Sequence, residues 1–141
     1  MTKTRVLLAD DHPTVLAKVT EILRDTCQVV GSVTNGRDAL DSAVRENPDV
    51  VLMDISMPVM NGIEAAESLI RANCGAKVIF LTVHDDPDFL KAALAAGASG
   101  YIVKSHMATD LLPAIQEVLA GHRFISPCLR AKTDSRPQKF D

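Results

Sequence analysis

Five short apolar runs recur along the chain, and each is separated from the next by enough residues for one helix. The run at 50–53 is apolar throughout and ends abruptly at Asp54, which is typical of a strand covered on both faces of a parallel sheet. The other four runs are also predicted to be strands. In chain order the five predicted strands are 6–9, 29–33, 50–53, 78–81 and 101–103.

Between these runs, apolar residues recur every three or four positions, which is the spacing of an amphipathic helix. Pro13 suits the first turn of the first helix, and Pro113 is expected in the first turn of the last one. The pair Asn35-Gly36 is expected to form a turn that closes the second strand. In chain order, the first predicted helix begins at about 13 and the second covers 37–46. The third begins near 62, the fourth ends at 97 and the fifth covers about 108–120.

Each helix is expected to direct an apolar stripe toward the sheet, and the stripes of the second, third and last helices include Val44, Ile70 and Leu119. Five strands alternating with five helices favour a parallel sheet with helices on both faces, because such crossovers are right-handed. The predicted fold is therefore α/β, a three-layer (βα)5 sandwich around a five-stranded parallel sheet in the common order 2-1-3-4-5.

The composition indicates one globular domain, with 47% hydrophobic residues, 23% charged residues and a net charge of −3. No apolar run approaches the roughly 20 residues that a membrane span requires, and Asp10 interrupts the first run too early for a signal peptide. We therefore expect a cytoplasmic protein with no membrane partner. The domain is predicted to cover 1–126, and 127–141 is expected to be a linker or a disordered tail.

Several kinds of site are disfavoured by residues that are scattered or absent. The three cysteines are widely spaced and odd in number, which argues against a disulfide framework and against zinc. The four histidines fall on predicted loops and helix ends, so no histidine metal site is expected. No GxGxxG follows the first strand and no GxxxxGK[ST] occurs, which argues against dinucleotide and P-loop nucleotide binding.

Polar side chains follow four of the predicted strands: Asp10 and Asp11 the first, Asp54 the third, Thr82 the fourth and Lys104 the fifth. The carboxyl ends of parallel strands share one edge of the sheet, and the first and third strands flank the switch point where ligands bind. Three carboxylates in one place repel one another unless a cation compensates, and Mg²⁺ is the natural choice for oxygen ligands.

Such an arrangement is suited to phosphoryl transfer, because a carboxylate can act as the nucleophile while cations neutralise the transferring group. Taken singly, each residue has an ordinary interpretation: the aspartates as helix caps, Thr82 as a turn residue and Lys104 as a solvated lysine. Their shared position at one sheet edge favours the chemical interpretation.

The same residues resemble those of a response-regulator receiver domain over roughly residues 4 to 125. The similarity rests on Asp10-Asp11, the segment MDISMPVMNG at 53–62, Leu81-Thr82 and the segment GASGYIVK at 97–104. The resemblance implies the flavodoxin-like fold, with Asp54 as the phosphoacceptor. It also implies that Asp10, Asp11, Asp54 and the backbone carbonyl of Ser56 bind Mg²⁺.

The resemblance implies further roles near the acceptor. Thr82 and Tyr101 are expected to form a switch pair, in which Thr82 moves toward the phosphoryl group and Tyr101 turns inward. Lys104 is expected to bind a phosphoryl oxygen. Ser56 and His84, each two residues beyond a site residue, are expected to tune the lifetime of the phosphoryl group.

The sequence also resembles the subclass of receivers that precede a LuxR-type DNA-binding domain, through His84-Asp85-Asp86, Lys104-Ser105 and the segment 121–127. The expected partner is a sensor histidine kinase or a phosphotransfer protein. Homodimerisation is expected through the face of the fourth helix, fifth strand and last helix, or through another helix face. No DNA binding by this chain is expected, because the effector domain is absent; a receiver that acts alone by protein docking is the alternative.

Two rival functions remain open at this stage. A haloacid-dehalogenase-type phosphatase also uses an aspartate after a strand, but it needs a second aspartate two residues on, where this chain has Ser56. A flavin-binding flavodoxin would need a Ser/Thr-rich phosphate loop after the first strand, which the sequence lacks. We therefore predict a phosphoacceptor and not an enzyme.

Overall fold

Six parallel strands form a single sheet in a computed structural model that describes residues 3–129. The order of the strands is β2-β1-β3-β4-β5-β6, so the predicted order 2-1-3-4-5 is confirmed and one strand is added at the edge. The strands are β1 (Thr4–Ala9), β2 (Cys27–Val33), β3 (Val50–Met53), β4 (Lys77–Thr82), β5 (Gly100–Val103) and β6 (Phe124–Ile125).

Five helices connect the strands, and a short 3₁₀ turn at Lys104–His106 leads into the last of them. In the described part of the chain, no helix is both long and apolar enough to cross a membrane. The helices are α1 (Pro13–Leu23), α2 (Gly36–Glu46), α3 (Gly62–Arg71), α4 (Pro87–Ala95) and α5 (Met107–Leu119).

Alternation along the strands divides the interior into two layers. In β1, Leu7 and Ala9 belong to a core with α2, α3 and α4, whereas Val6 and Leu8 belong to a second core with α1 and α5. Successive side chains of a strand point to opposite faces of the sheet, so a wholly apolar strand supplies both layers. The predicted three-layer sandwich is confirmed.

The prediction of five strands is wrong by one, because β6 closes the edge beyond β5. Phe124 pairs with Gly100 and Ile125 with Tyr101, and the Ser126 N–H donates to the Tyr101 carbonyl at 2.9 Å. A strand of two residues is too short to show an alternating pattern, and its pairing depends on backbone groups that any sequence has.

The chain stays packed on the domain beyond the predicted boundary at 126. Leu129 is only 1% exposed and belongs to the core that α2, α3 and α4 cover. Ser126 is also buried, and its hydroxyl donates to Asp110 Oδ2 at 2.7 Å and accepts from the Val103 N–H at 3.1 Å. The rest of the predicted tail, 130–141, lies outside the described residues.

Three residues that were predicted to point inward are exposed: Val44 by 55%, Ile70 by 57% and Leu119 by 43%. Each follows a buried residue of its helix, namely Ala43, Leu69 or Val118. Successive helical residues are about 100° apart around the axis, so the neighbour of a central buried position lies on the flank of the helix.

The pair Asn35-Gly36 begins a helix and does not form the predicted turn. The Asn35 side chain caps α2 by accepting the Asp38 N–H at 2.8 Å, and Gly36 is the first helical residue. The Gly36 N–H donates to the Met60 carbonyl at 2.9 Å, and a Cβ at Gly36 would collide with that carbonyl. Glycine is thus required here by the close approach of the loop that follows β3.

Pro113 lies inside α5 and not in its first turn as predicted. The helix already begins at Met107, so Pro113 is its seventh residue. A proline there removes one N–H from the helical ladder. Pro113 is exposed, which leaves water free to satisfy the carbonyl that loses its partner.

Val59, in the loop between β3 and α3, has a left-handed backbone with φ of 70° and is 82% exposed. A β-branched residue strongly disfavours this conformation because its Cβ meets the following carbonyl oxygen. The exposed side chain gains little burial to offset that strain.

We therefore expect Val59→Gly to stabilise the protein. Removing the strain contributes roughly 1–2 kcal/mol, and the greater freedom of glycine in the unfolded chain opposes this by roughly 0.4–1 kcal/mol. Urea denaturation should show a net gain of about 1 kcal/mol or less. Val83→Gly is the matched control: Val83 is 68% exposed and lacks a positive φ, so this change should not stabilise the protein. Equal effects of the two changes would contradict the strain at Val59.

Candidate functional site

The ends of β1 and β3 place two buried carboxylates side by side. Ala9 pairs with Met53, and the Asp54 N–H donates to the Ala9 carbonyl at 2.9 Å. Asp10 and Asp54, the next residues of the two strands, are therefore held at the same edge, and both are buried. The predicted convergence at the switch point between β1 and β3 is present.

Lys104 brings a cation to these carboxylates from the end of β5. Its Nζ lies 2.8 Å from Asp10 Oδ2 and 3.2 Å from Asp54 Oδ2, and the lysine side chain is only 10% exposed. It donates a hydrogen bond to Asp54 Oδ2, whereas the buried Asp10 Oδ2 accepts no hydrogen bond and has the ammonium beside it only as a charge. One positive charge thus serves two buried negative ones.

The pKa of the Asp54 carboxyl is raised above its ordinary value. Burial is the largest cause, Lys104 opposes it, and the negative charge of Asp10 raises the pKa further. Asp54 Oδ1 also accepts the Ile55 N–H at 2.7 Å, which favours the ionised form. Ionising Asp54 in this pocket therefore costs free energy, and an additional cation would reduce that cost.

His12 is a member of the site that the sequence analysis missed. Its Nδ1 lies 2.9 Å from Asp10 Oδ1, 3.2 Å from Asp11 Oδ1 and 3.9 Å from Asp54 Oδ2. The backbone N–H of His12 also donates to Asp10 Oδ1 at 2.9 Å. The available signal was its position directly after Asp11 and before the helix that begins at Pro13, which keeps it at the same sheet edge.

The donor set fits a divalent cation. Ligand atoms of Asp10, Asp11, His12 and Asp54 all lie within 4.8 Å of one another. Carboxylate oxygens are the ligands that Mg²⁺ prefers, and the buried Asp10 Oδ2 has no hydrogen bond that a cation would have to displace. Ser56 lies in the same loop as Asp54, and the role of its backbone carbonyl as a ligand stays a prediction.

The predicted switch residues meet around His84. Thr82 ends β4 and is buried, and its Oγ1 accepts the His84 N–H at 3.2 Å. The Tyr101 hydroxyl donates to the His84 carbonyl at 2.7 Å. Tyr101 is already buried in this structure, so its ring already has the inward position that the switch was expected to produce. Burial raises the pKa of Tyr101, and the nearby aspartates add to the effect.

The two residues predicted to tune the lifetime are in contact. Ser56 Oγ lies 3.1 Å from His84 Nε2, within hydrogen-bond distance, and this contact joins the loop after β3 to the loop after β4. The His84 ring also stacks on Phe89 of α4, with centroids 3.9 Å apart and an angle of 11° between the planes. The helical spacing of apolar residues predicts only that Phe89 belongs to the apolar stripe of its helix.

The comparison with known families agrees with this geometry. The model of the response regulator receiver domain matches residues 6–116, which is more than half of the chain. The chain belongs to the response-regulator receiver family. The expected flavodoxin-like fold and two-component signalling class are thereby confirmed.

Curated relatives are longer than this chain. Response regulator GacA of Pseudomonas viridiflava is 42% identical over 125 residues, which are 87% of this chain and 58% of that protein. Response regulator UvrY of Escherichia coli K12 is 39% identical over 123 residues, which are 86% of this chain and 56% of that protein. The chain thus spans a little over half the length of these two relatives.

Solved structures confirm the resemblance to the LuxR and NarL type. The receiver domain of the response regulator NarL from Mycobacterium tuberculosis is 31% identical with a TM-score of 0.83, over 86% of this chain and all of that one. A LuxR-family two-component response regulator from Aurantimonas sp. SI85-9A1 is 31% identical with a TM-score of 0.88, over 96% of this chain and all of that one.

The raised pKa of Asp54 predicts how stability depends on pH. When a carboxyl has a higher pKa in the folded than in the unfolded chain, the folded protein becomes less stable as pH rises from the unfolded-state pKa through the folded-state pKa. In metal-free buffer, Asp54→Asn should therefore raise the free energy of unfolding at pH 7, with the gain shrinking below pH of about 4. Urea denaturation at both pH values measures it. Asp25→Asn, at an exposed position, is the control. If Asp54→Asn were less stable than the parent at pH 7, the raised pKa of Asp54 would be contradicted.

Proposed function

We propose that Asp54 accepts a phosphoryl group from a phosphohistidine of a sensor kinase or phosphotransfer protein. The observation that carries this proposal is the position of Lys104 Nζ, 3.2 Å from a buried Asp54 Oδ2 at the switch point of the sheet. A salt bridge with a purely structural role would not need the neighbouring Asp10 carboxylate, which competes for the same ammonium at 2.8 Å.

In the transfer step, a carboxylate oxygen of Asp54 attacks phosphorus and the phosphorus–nitrogen bond to the donor imidazole breaks. The electron pair of that bond stays on the departing nitrogen, and the product is an acyl phosphate on Asp54. Lys104 binds one phosphoryl oxygen through its ammonium, and the Thr82 hydroxyl donates to another. Burial of Asp54 excludes water from most directions and so favours transfer over hydrolysis.

We propose that Asp10, Asp11, Asp54 and the Ser56 carbonyl hold Mg²⁺ in this pocket. An ion bound there would supply positive charge that offsets the charge on the transferring group. His12 now places an imidazole nitrogen among the same carboxylates, and its side chain is 59% exposed. It therefore has room to turn toward solvent and give its place among the oxygens to the ion.

The contacts around His84 support the proposed switch. The Thr82 hydroxyl oxygen accepts the His84 N–H, and the His84 carbonyl accepts the Tyr101 hydroxyl. When Thr82 turns toward a phosphoryl oxygen, the first of these bonds is lost and the loop is free to rearrange. We propose that the change is read on the face formed by α4, β5 and α5, through a shift between two populated states.

The proposed output is a protein contact. This chain spans 58% of the GacA relative, and we propose that its receiver acts through an effector domain of the kind found in transcription regulators, or through a homodimer. The α4-β5-α5 face or another helix face would form the dimer. A cytoplasmic location is part of the proposal, as is the absence of DNA binding by this chain alone.

We propose that the chain is a phosphoacceptor and not a phosphatase. An aspartate-nucleophile phosphatase needs a second carboxyl group two residues after the nucleophile to protonate the leaving group. Ser56 stands there and pairs with His84. Without that acid the acyl phosphate should persist long enough to be isolated.

The first test is phosphorylation itself. Treating the protein with acetyl phosphate and Mg²⁺ should add one phosphoryl group, detected by intact-protein mass spectrometry, and Asp54→Asn should remove it. Lys104→Met should lower the yield, since the ammonium that binds a phosphoryl oxygen is gone. The matched control is Lys77→Met, an exposed lysine at the opposite end of a strand, which should leave the yield unchanged. Full labelling of the Asp54 variant would contradict the assignment.

A second test concerns the metal. Mg²⁺ that binds only the folded protein should stabilise it by about 2.7 kcal/mol at a hundredfold excess over its dissociation constant. Thermal denaturation with and without Mg²⁺ measures this. The increase should disappear in Asp11→Asn, whose exposed side chain is not needed for folding, and persist in Asp25→Asn. An undiminished increase in Asp11→Asn would exclude Asp11 as a ligand.

A further inference from the structure

The His84 ring connects the acceptor loop to α4. One edge of the imidazole, at Nε2, lies 3.1 Å from Ser56 Oγ, and one face stacks on the Phe89 ring at 3.9 Å. Ser56 is two residues beyond Asp54, and His84 is two residues beyond Thr82. The Ser56–His84 contact therefore forms a bridge between the two loops that border the acceptor.

Phe89 is held firmly enough to position this ring. Its backbone N–H donates to Asp86 Oδ1 at 3.1 Å, in the side-chain cap that begins α4. Its side chain is partly buried and packs against the core that α2, α3 and α4 cover. An aromatic ring fixed at its backbone and at one side offers a flat platform, and the near-parallel planes show that His84 uses it.

Without this platform the bridge would have little to hold it. Ser56 is exposed and His84 is half-exposed, and water competes for a single hydrogen bond between such side chains. The Tyr101 hydroxyl holds the His84 carbonyl, and this contact does not depend on the Thr82 hydroxyl that turns toward the phosphoryl group, but it leaves the His84 ring free to rotate. The stack on Phe89 is thus the contact that selects the ring position facing Ser56.

We propose that Phe89 sets the lifetime of the phosphoryl group on Asp54 by holding the His84 ring against Ser56, an inference that rests on the phosphoacceptor role of Asp54. The closed bridge shields the acyl phosphate from water. When it opens, a water oxygen attacks phosphorus and the bond between phosphorus and the Asp54 oxygen breaks. The carboxylate is regenerated and inorganic phosphate leaves with the water oxygen and one of its protons, while the other proton passes to solvent. Phe89 touches none of the reacting atoms and is a positioning residue.

The experiment is a double-mutant cycle on the half-life of phosphorylated protein, followed by intact mass after the donor is removed. Phe89→Leu should shorten the half-life about three- to tenfold, as expected if one aromatic stack is lost from the closed state. His84→Ala, which removes the ring and leaves the backbone groups of this residue in place, should shorten it similarly. The double variant should be no faster than His84→Ala, because the two residues act through one bridge.

Two further variants separate positioning from general packing. Phe89→Tyr keeps the stack and should restore the parental half-life. Leu94→Ala removes a partly buried side chain from the same helix and should leave the half-life unchanged. NMR adds a second readout: the His84 ring protons should be shifted upfield by the Phe89 ring in the parent and in Phe89→Tyr, and not in Phe89→Leu.

The proposal is overturned by a parental or longer half-life in Phe89→Leu, by equal acceleration in Leu94→Ala, or by additive effects in the double variant. A protein that takes up no phosphoryl group in the same mass measurement refutes instead the role of Asp54. The two failures are therefore distinguished in one experiment.

Discussion

The site depends on one ammonium group shared by two buried carboxylates. Asp10 and Asp54 are brought together by the pairing of β1 with β3, and Lys104 reaches both from the end of β5, at 2.8 and 3.2 Å. Buried like charges raise proton affinity and destabilise the ionised pair, so removing the lysine would leave an uncompensated charge. The single positive charge favours ionisation of the acceptor, but one ammonium does not offset two carboxylates. A metal ion or a phosphoryl group therefore changes the charge balance of the pocket strongly.

From this pocket the connections lead outward through His84. Its main chain contacts Thr82 and Tyr101, and its ring contacts Ser56 and Phe89. A charge that appears on Asp54 therefore has a short physical route to α4 and β5, the elements that carry the proposed output face. Regulation by added charge needs a two-state element near the modified group, and the loop that carries His84 is the element proposed for that role.

The sequence predicted the site well wherever strand ends determine position. Asp10, Asp54 and Lys104 meet because parallel strands end at one edge, and Thr82 ends β4 at the same edge. The sequence did not predict the contacts of His12 and Phe89, since a periodic pattern says that Phe89 is apolar and inward but not which ring it meets. β6 was missed because two residues carry no period, and Val44, Ile70 and Leu119 were misplaced because an apolar stripe is wider than the face that is buried.

The identity of the phosphorylated atom tests the account most directly. An acyl phosphate is reduced by borohydride, which converts the modified aspartate to homoserine, whereas phosphoserine and phosphohistidine are not reduced in this way. After treatment with a phosphodonor and Mg²⁺, peptide mass spectrometry should find homoserine in place of aspartate at position 54 alone. Homoserine at position 10 or 11, or a borohydride-resistant phosphoryl group on Ser56 or His84, would contradict the central claim.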